Sequence, residues 1–201
     1  MKLELWRPVK PFQVFQGYGA ENTDPRMVEK YKALGLKGHN GFDIFAPHGT
    51  PVRAAHKGEV VVAGLDGSNG TIVVLKTLDK FDYKDTQVYF KTLYGHLVKE
   101  VSVLVGDTIE VGQVIGFADN TGFSTGDHLH FGLKPVEVGE EDWKWWNIEQ
   151  DNGYNGAIDP TPYINEFYAE DYHLVMNNLN EQFSILTEIV KLLKSMLLWK
   201  K

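Results

Sequence analysis

Polar and apolar residues alternate with a period of two over most of the central chain. Gln87–Leu97 is the clearest stretch: Val88, Phe90, Thr92, Tyr94 and His96 share one parity, which on a strand means one face. Two β-branched runs, Glu59–Ala63 and Thr71–Leu75, flank Asp66-Gly67-Ser68-Asn69-Gly70, whose residues suit a hairpin loop. Gly38–Phe45 reads as a turn entering a strand, Val101–Phe117 is punctuated by Gly106-Asp107 and Gly112-Gln113, and His128–Leu133 adds another strand. From Thr50 to about Lys134 the pattern is almost wholly β. Many short strands with regular turns predict a mostly β fold, an antiparallel sandwich or barrel.

Helical signals occur at both ends. A short N-terminal helix is predicted over residues 24–35, with Asp24 or Thr23 as cap, Pro25 in its first turn and Gly35 at its end. Near the C-terminus Met176, Leu179, Phe183, Leu186, Val190, Leu193 and Leu197 step by 3, 4, 3, 4, 3 and 4, a heptad seam on one long amphipathic helix. Ile185, Ile189, Leu192, Met196 and Leu198 widen that seam beyond what a two-stranded coiled coil buries. Two roles fit such a face: packing on its own domain, or self-association and partner docking through residues 171–201. Between the β region and this helix lies a polar stretch with Trp143, Trp145 and Trp146, expected to form a satellite core under a loop.

Composition narrows the functional classes. At 201 residues the chain has room for one well-cored domain and an appendage. A net charge of −7 and the absence of a basic stripe argue against a nucleic-acid partner. No apolar run approaches the length of about 20 residues that spans a bilayer, so no membrane span is predicted. The first ten residues, with Glu4, Arg7 and Lys10, lack the apolar core of a secretory signal. There is no cysteine, so any metal site must be built from His, Asp and Glu.

The histidines supply such a site. In Gly126-Asp127-His128-Leu129-His130-Phe131 an H-x-H pair on a strand puts two imidazoles on one face and Leu129 and Phe131 on the other. His39-Asn40-Gly41-Phe42-Asp43 brings an imidazole and a carboxylate together across a turn. One nitrogen of the H-x-H pair would complete a two-His, one-Asp set suited to zinc, with a fourth position for water. Peptide hydrolysis also needs a base and an acid. H-E-x-x-H is missing, so histidine has to take that part. The candidates are the other member of the pair and His96 of Tyr94-Gly95-His96-Leu97.

H-x-x-x-D, Y-G-H-L and H-L-H-F, in that order, resemble the lysostaphin or LytM family of zinc endopeptidases that cut peptidoglycan peptides. The resemblance runs from about Phe15 to Tyr163, including Ala46-Pro47-His48-Gly49-Thr50-Pro51-Val52, Gly112-Gln113-Val114-Ile115-Gly116 and Asp159-Pro160. It implies His39, Asp43 and His130 as zinc ligands and His96 and His128 as catalytic histidines acting on the water and on the tetrahedral intermediate or leaving group. It also implies a mostly antiparallel β-sandwich (barrel-sandwich hybrid) with the groove across its sheet. On this reading residues 1–165 are the metallopeptidase domain and 166–201 the C-terminal helix, and the partner is a peptidoglycan stem peptide or cross-bridge. Such a substrate places the protein outside the membrane, in the periplasm or on a virion. The motifs that carry the resemblance assign no counterpart to residues 137–155 or to the terminal helix.

Two other readings fit parts of this pattern. A non-catalytic scaffold, regulator or phage structural component of the same fold typically loses ligands, and none is lost here. A biotinyl or lipoyl carrier would need a lysine at the tip Asp66–Gly70, which has none. Of the remaining histidines, His48 is expected at the surface or groove edge, His56 in a solvent-facing turn and His173 outside the domain. Tyr94 and Asn40 are expected either to line the groove or to pack.

Overall fold

The computed structural model describes residues 1–138 and 145–198, with side chains left undescribed at 145–146 and 193–198. Trp143 and the side chains of Trp145 and Trp146 lie outside the described residues, and so does the satellite core expected there. The strands in chain order are β1 (Leu5–Arg7), β2 (Val14–Gln16), β3 (Phe42–Phe45), β4 (Pro51–Arg53), β5 (Gly58–Asp66), β6 (Gly70–Thr77), β7 (Phe81–Tyr83), β8 (Thr86–Leu97), β9 (Thr108–Ile109), β10 (Val114–Phe117), β11 (His128–Val138), β12 (Trp145–Asn147) and β13 (Ile164–Tyr168). The helices are α1 (Pro25–Ala33) and α2 (Tyr172–Leu198).

Among these residues the main sheet runs β2-β3-β11-β8-β6-β5-β9, every neighbouring pair antiparallel. β10 pairs with β4 across the core, and β1 lies parallel to β13, tying residues 164–168 to the body. The fold is therefore mostly β, with antiparallel sheets and no closed barrel, as the alternation predicts. Leu129, Phe131, Leu133, Val88, Phe90, Tyr94, Val73 and Leu75 are each at most 0% exposed and form one core with Ile44, Leu97 and Ile115.

Local chemistry explains the boundaries. Asp24 caps α1, its Oδ1 accepting from the Arg26 N–H at 2.9 Å, Pro25 occupies the first turn, and Gly35 leaves the helix at φ 68°. Between β5 and β6 the loop closes through a single turn of 3-10 helix, Gly67–Asn69. Backbone packs on backbone there: a Cβ at Gly70 would lie 2.3 Å from the Thr121 carbonyl, and one at Gly122 would lie 2.2 Å from Gly70 N. Glycine at both positions lets the hairpin loop press on residues 121–123.

His56 is not in a solvent-facing turn. It is 5% exposed and ends a hydrogen-bonded file: the Ala55 N–H donates to the Tyr94 hydroxyl (2.9 Å), which lies 3.2 Å from Thr92 Oγ1, and Thr92 meets His56 Nε2 at 2.8 Å. Its Nδ1–H donates to the Lys57 carbonyl at 2.8 Å, which leaves Nε2 to face the Thr92 hydroxyl. Tyr94 thus packs and does not line the groove. Burial, only partly offset by that carbonyl, holds the His56 pKa down to about 4. Above pH 6.5 both folded and unfolded chains carry a neutral ring. As pH falls from about 6.5 to about 4 the unfolded chain takes up a proton that the folded one refuses, so stability is lost, by about 3 kcal/mol at roughly 1.4 kcal/mol per pKa unit. Thermal unfolding of wild type and His56→Gln at pH 7.5, 5.5 and 4.5 checks this. The variant is expected to show the shallower pH slope, and equal slopes would assign the acid lability to other groups.

Candidate active site

β3 and β11 lie antiparallel with Asp43 directly opposite His130 and Ile44 opposite Leu129. Leu129 and Phe131 point into the core at 0% exposure, and His128 and His130 line the other face at 7% and 6%. Gly41 lets this pairing close up: a Cβ there would lie 2.6 Å from the Phe131 carbonyl and 2.9 Å from His130 Cε1. His39 enters from the preceding loop, its backbone N–H bonded to the Ala20 carbonyl at 3.0 Å and its ring stacked on Tyr31 of α1.

Three donor atoms meet there. His130 Nδ1 is 2.9 Å from Asp43 Oδ1, His39 Nε2 is 3.1 Å from the same oxygen, and the two nitrogens are 3.1 Å apart. His39 Nδ1–H donates to the Gly17 carbonyl at 3.2 Å, which fixes the tautomer and leaves Nε2 with a lone pair. Two imidazole nitrogens and a carboxylate oxygen packed this closely are an arrangement that a cation satisfies better than a shared proton does. A tetrahedral zinc with bonds of about 2.0–2.1 Å needs ligand–ligand edges of about 3.3 Å. The observed triangle is within a few tenths of an ångström of that, so the residues fit the ion.

Flanking the triangle, His128 Nε2 is 3.4 Å from Asp43 Oδ1, and its Nδ1–H donates to the Gly126 carbonyl at 2.8 Å. His96 arrives by a route that alternation does not foresee. On parity it belongs to the core face with Tyr94. In the structure β8 carries a bulge: Thr71 and Val73 of β6, two residues apart, oppose Leu97 and Tyr94, three apart. The extra residue is taken up with His96 at φ 59°, a left-handed conformation uncommon for a non-glycine residue. Its ring crosses to the cleft face, 4.6 Å between ring centres from His128.

Thr121 holds it there. The His96 Nδ1–H donates to the Thr121 carbonyl at 2.7 Å, and the Thr121 hydroxyl donates to the Leu97 carbonyl at 2.6 Å while accepting from the Thr71 N–H at 3.0 Å. Both flanking histidines therefore have Nδ1 anchored on backbone and keep Nε2 for other partners.

The electrostatics follow from burial and from Asp43. Burial would raise the Asp43 carboxyl, but the His128, His130 and His39 imidazoles gathered on its Oδ1 outweigh it and hold the group far below the usual carboxylate range. Burial pulls His128 down, yet its hydrogen bond to Asp43 and the Asp43 charge leave it above an ordinary imidazole. In His130 burial wins and the pKa is lowered. In His96 burial lowers it to about 4, so that ring is neutral near pH 7.

The five residues line a cleft of about 430 Å³ together with Asn40, Phe15, Lys30 and Phe123. Phe15 meets His128 edge-on at 5.6 Å, and Lys30 Nζ lies 3.8 Å above the Phe123 ring, linking α1 to the loop after β10 across the mouth. The sequence reading did not single out these three cleft residues. Phe15 is 61% exposed in the short strand β2. His48 is exposed, with Nδ1 2.9 Å from Asp119 Oδ1, and His173 lies at the start of α2, away from the cleft.

Glycyl-glycine endopeptidase ALE-1 of Staphylococcus capitis is 38% identical over 100 residues, 49% of this chain and 25% of that protein. DD-carboxypeptidase/endopeptidase Mpg of Neisseria meningitidis is 39% identical over 93 residues, 46% of this chain and 19% of that protein. The chain thus spans a quarter or less of the curated relatives it matches. The catalytic domain of the antimicrobial peptidase lysostaphin from Staphylococcus simulans superposes with a TM-score of 0.54 at 28% identity, covering 76% of this chain and 91% of that one. The model of peptidase family M23 matches residues 37–141, just over half of the chain and a span that takes in all five cleft residues, and the chain belongs to that family.

Proposed function

We propose that this chain is a zinc-dependent endopeptidase that hydrolyses peptide bonds in peptidoglycan stem peptides or cross-bridges. The observation that carries the reading is the convergence of His39 Nε2, Asp43 Oδ1 and His130 Nδ1 within 2.9–3.1 Å, with His128 and His96 beside them in one cleft. His39, Asp43 and His130 would hold the ion, which when bound polarises a scissile carbonyl and lowers the pKa of water. His128 and His96 do the proton work: each is oriented by an Nδ1–H bond to a main-chain carbonyl and offers Nε2 to take a proton from the attacking water and return it to the leaving amine. Asp43 keeps His128 able to hold that proton by lying 3.4 Å from its Nε2.

The names of the relatives support a wall-peptide substrate and divide over the bond, one being a glycyl-glycine endopeptidase and the other a DD-carboxypeptidase/endopeptidase. Ligand residues do not select between these; the shape of the cleft does. The test is digestion of purified wall from glycine-bridged and directly cross-linked species, with mass spectrometry of the released muropeptides. Cleavage at one class of peptide bond, abolished by a chelator and restored by stoichiometric zinc, is expected. Unchanged muropeptides from both walls at one zinc per chain would overturn the assignment in favour of a non-catalytic relative.

A further inference from the structure

Among the described residues, most of the apolar face of the terminal helix is uncovered. α2 is 27 residues long, which at 1.5 Å per residue is about 40 Å. It touches the body at its first turn, where Tyr172 meets Trp6 edge-on at 4.9 Å. Beyond that turn its apolar face is open: Leu179, Phe183, Ile185, Leu186, Ile189 and Val190 are 42–70% exposed. A helix gains most of its stability in water from covering such a face.

We infer that the face is covered by other copies of this chain, packed as a bundle of more than two α2 helices. The spacing names the partner. Steps of 3 and 4 from Met176 through Leu186 to Leu197 are the knobs-into-holes repeat, which another helix of the same repeat complements. At 100° per residue, Met176, Leu179, Phe183, Leu186 and Val190 span about 80°, and Ile185 and Ile189 widen the arc to about 180° with Asn178 and Gln182 inside it, wider than a pair of helices buries. Six half-exposed side chains of about 80 Å² each leave about 500 Å² per helix for neighbours to cover, more than half of the about 800 Å² per partner in a stable interface.

The polar side argues against a lipid surface. It carries Asn177, Asn180, Ser184 and Thr187, and Glu181 and Glu188 balance Lys191 and Lys194. Helices that lie on anionic membranes carry Lys and Arg there in excess. A bundle would hold several clefts near one insoluble polymer and raise their effective concentration on it.

Light scattering on the full chain, run with the variant Leu179→Glu/Leu186→Glu, tests the inference without any measurement of hydrolysis. Wild type at tens of micromolar is expected at three or more times 22.8 kDa, and the variant at 22.8 kDa with the thermal transition of the β body unchanged. Circular dichroism of wild type should show helix content that rises with concentration. A monomeric or dimeric wild type, an equally large variant, or a monomer that binds anionic phosphatidylglycerol vesicles through the helix would each overturn it.

Discussion

Replacing His130 by alanine is expected to leave the purified protein without stoichiometric zinc and without measurable muropeptide release. His130 supplies one of three atoms in a triangle with edges of 2.9–3.1 Å, and no other imidazole reaches its place. His128 Nε2 is 3.4 Å from Asp43 Oδ1, but its ring is held away by the bond from Nδ1–H to Gly126. Two remaining ligands, His39 and Asp43, are too few for a zinc site that keeps an open position. The ion's polarising effect is worth several kcal/mol, so activity should fall by about 10³-fold or more. Zinc per chain by elemental mass spectrometry and wall digestion are read on the same sample. Near-ultraviolet circular dichroism serves as the fold control, because His130 is 6% exposed in the sheet. A variant with full zinc and full activity would remove His130 from the ligand set and with it the proposed centre.

His128→Ala is expected to separate binding from chemistry. The three ligand atoms are untouched, so zinc content should stay near one per chain. What is lost is a proton carrier that Asp43 keeps above an ordinary imidazole. General acid–base groups contribute about 10²–10⁴-fold, and the loss should fall on kcat, with KM for a soluble cross-bridge peptide little changed. Steady-state kinetics on that peptide, with zinc measured alongside, distinguishes the two histidines of the H-x-H pair. Loss of zinc equal to that of His130→Ala would show that they do not divide the labour.

Much of the β architecture was legible because burial on one face of a strand imposes a period of two. Leu129 and Phe131 against His128 and His130, the α1 boundaries at Asp24 and Gly35, and the helix over Tyr172–Leu198 all follow from neighbours in the chain. Local pattern put His56 in a turn and gave His96 the wrong face. His56 follows two alanines and precedes Lys57-Gly58, so it reads as turn, yet Thr92 and Tyr94 of a distant strand draw it into the core. His96 has the parity of Tyr94, yet it faces the cleft. Phe15 and the Lys30–Phe123 contact had no periodic signature, because each depends on which loops meet over the sheet.

The sequence alone therefore determined which residues could serve: a cysteine-free set of imidazoles and one carboxylate, in a fixed order, on strands whose faces alternate. Tertiary structure decided how they meet. A bulge and a left-handed residue at His96 are costly in isolation and persist only where other contacts over-determine them. Those contacts come from Thr121, which lies 25 positions away in sequence and is pressed into place by the backbone of Gly70. Alternation is a property of neighbouring residues, whereas a change of face is enforced by packing between segments far apart in the chain.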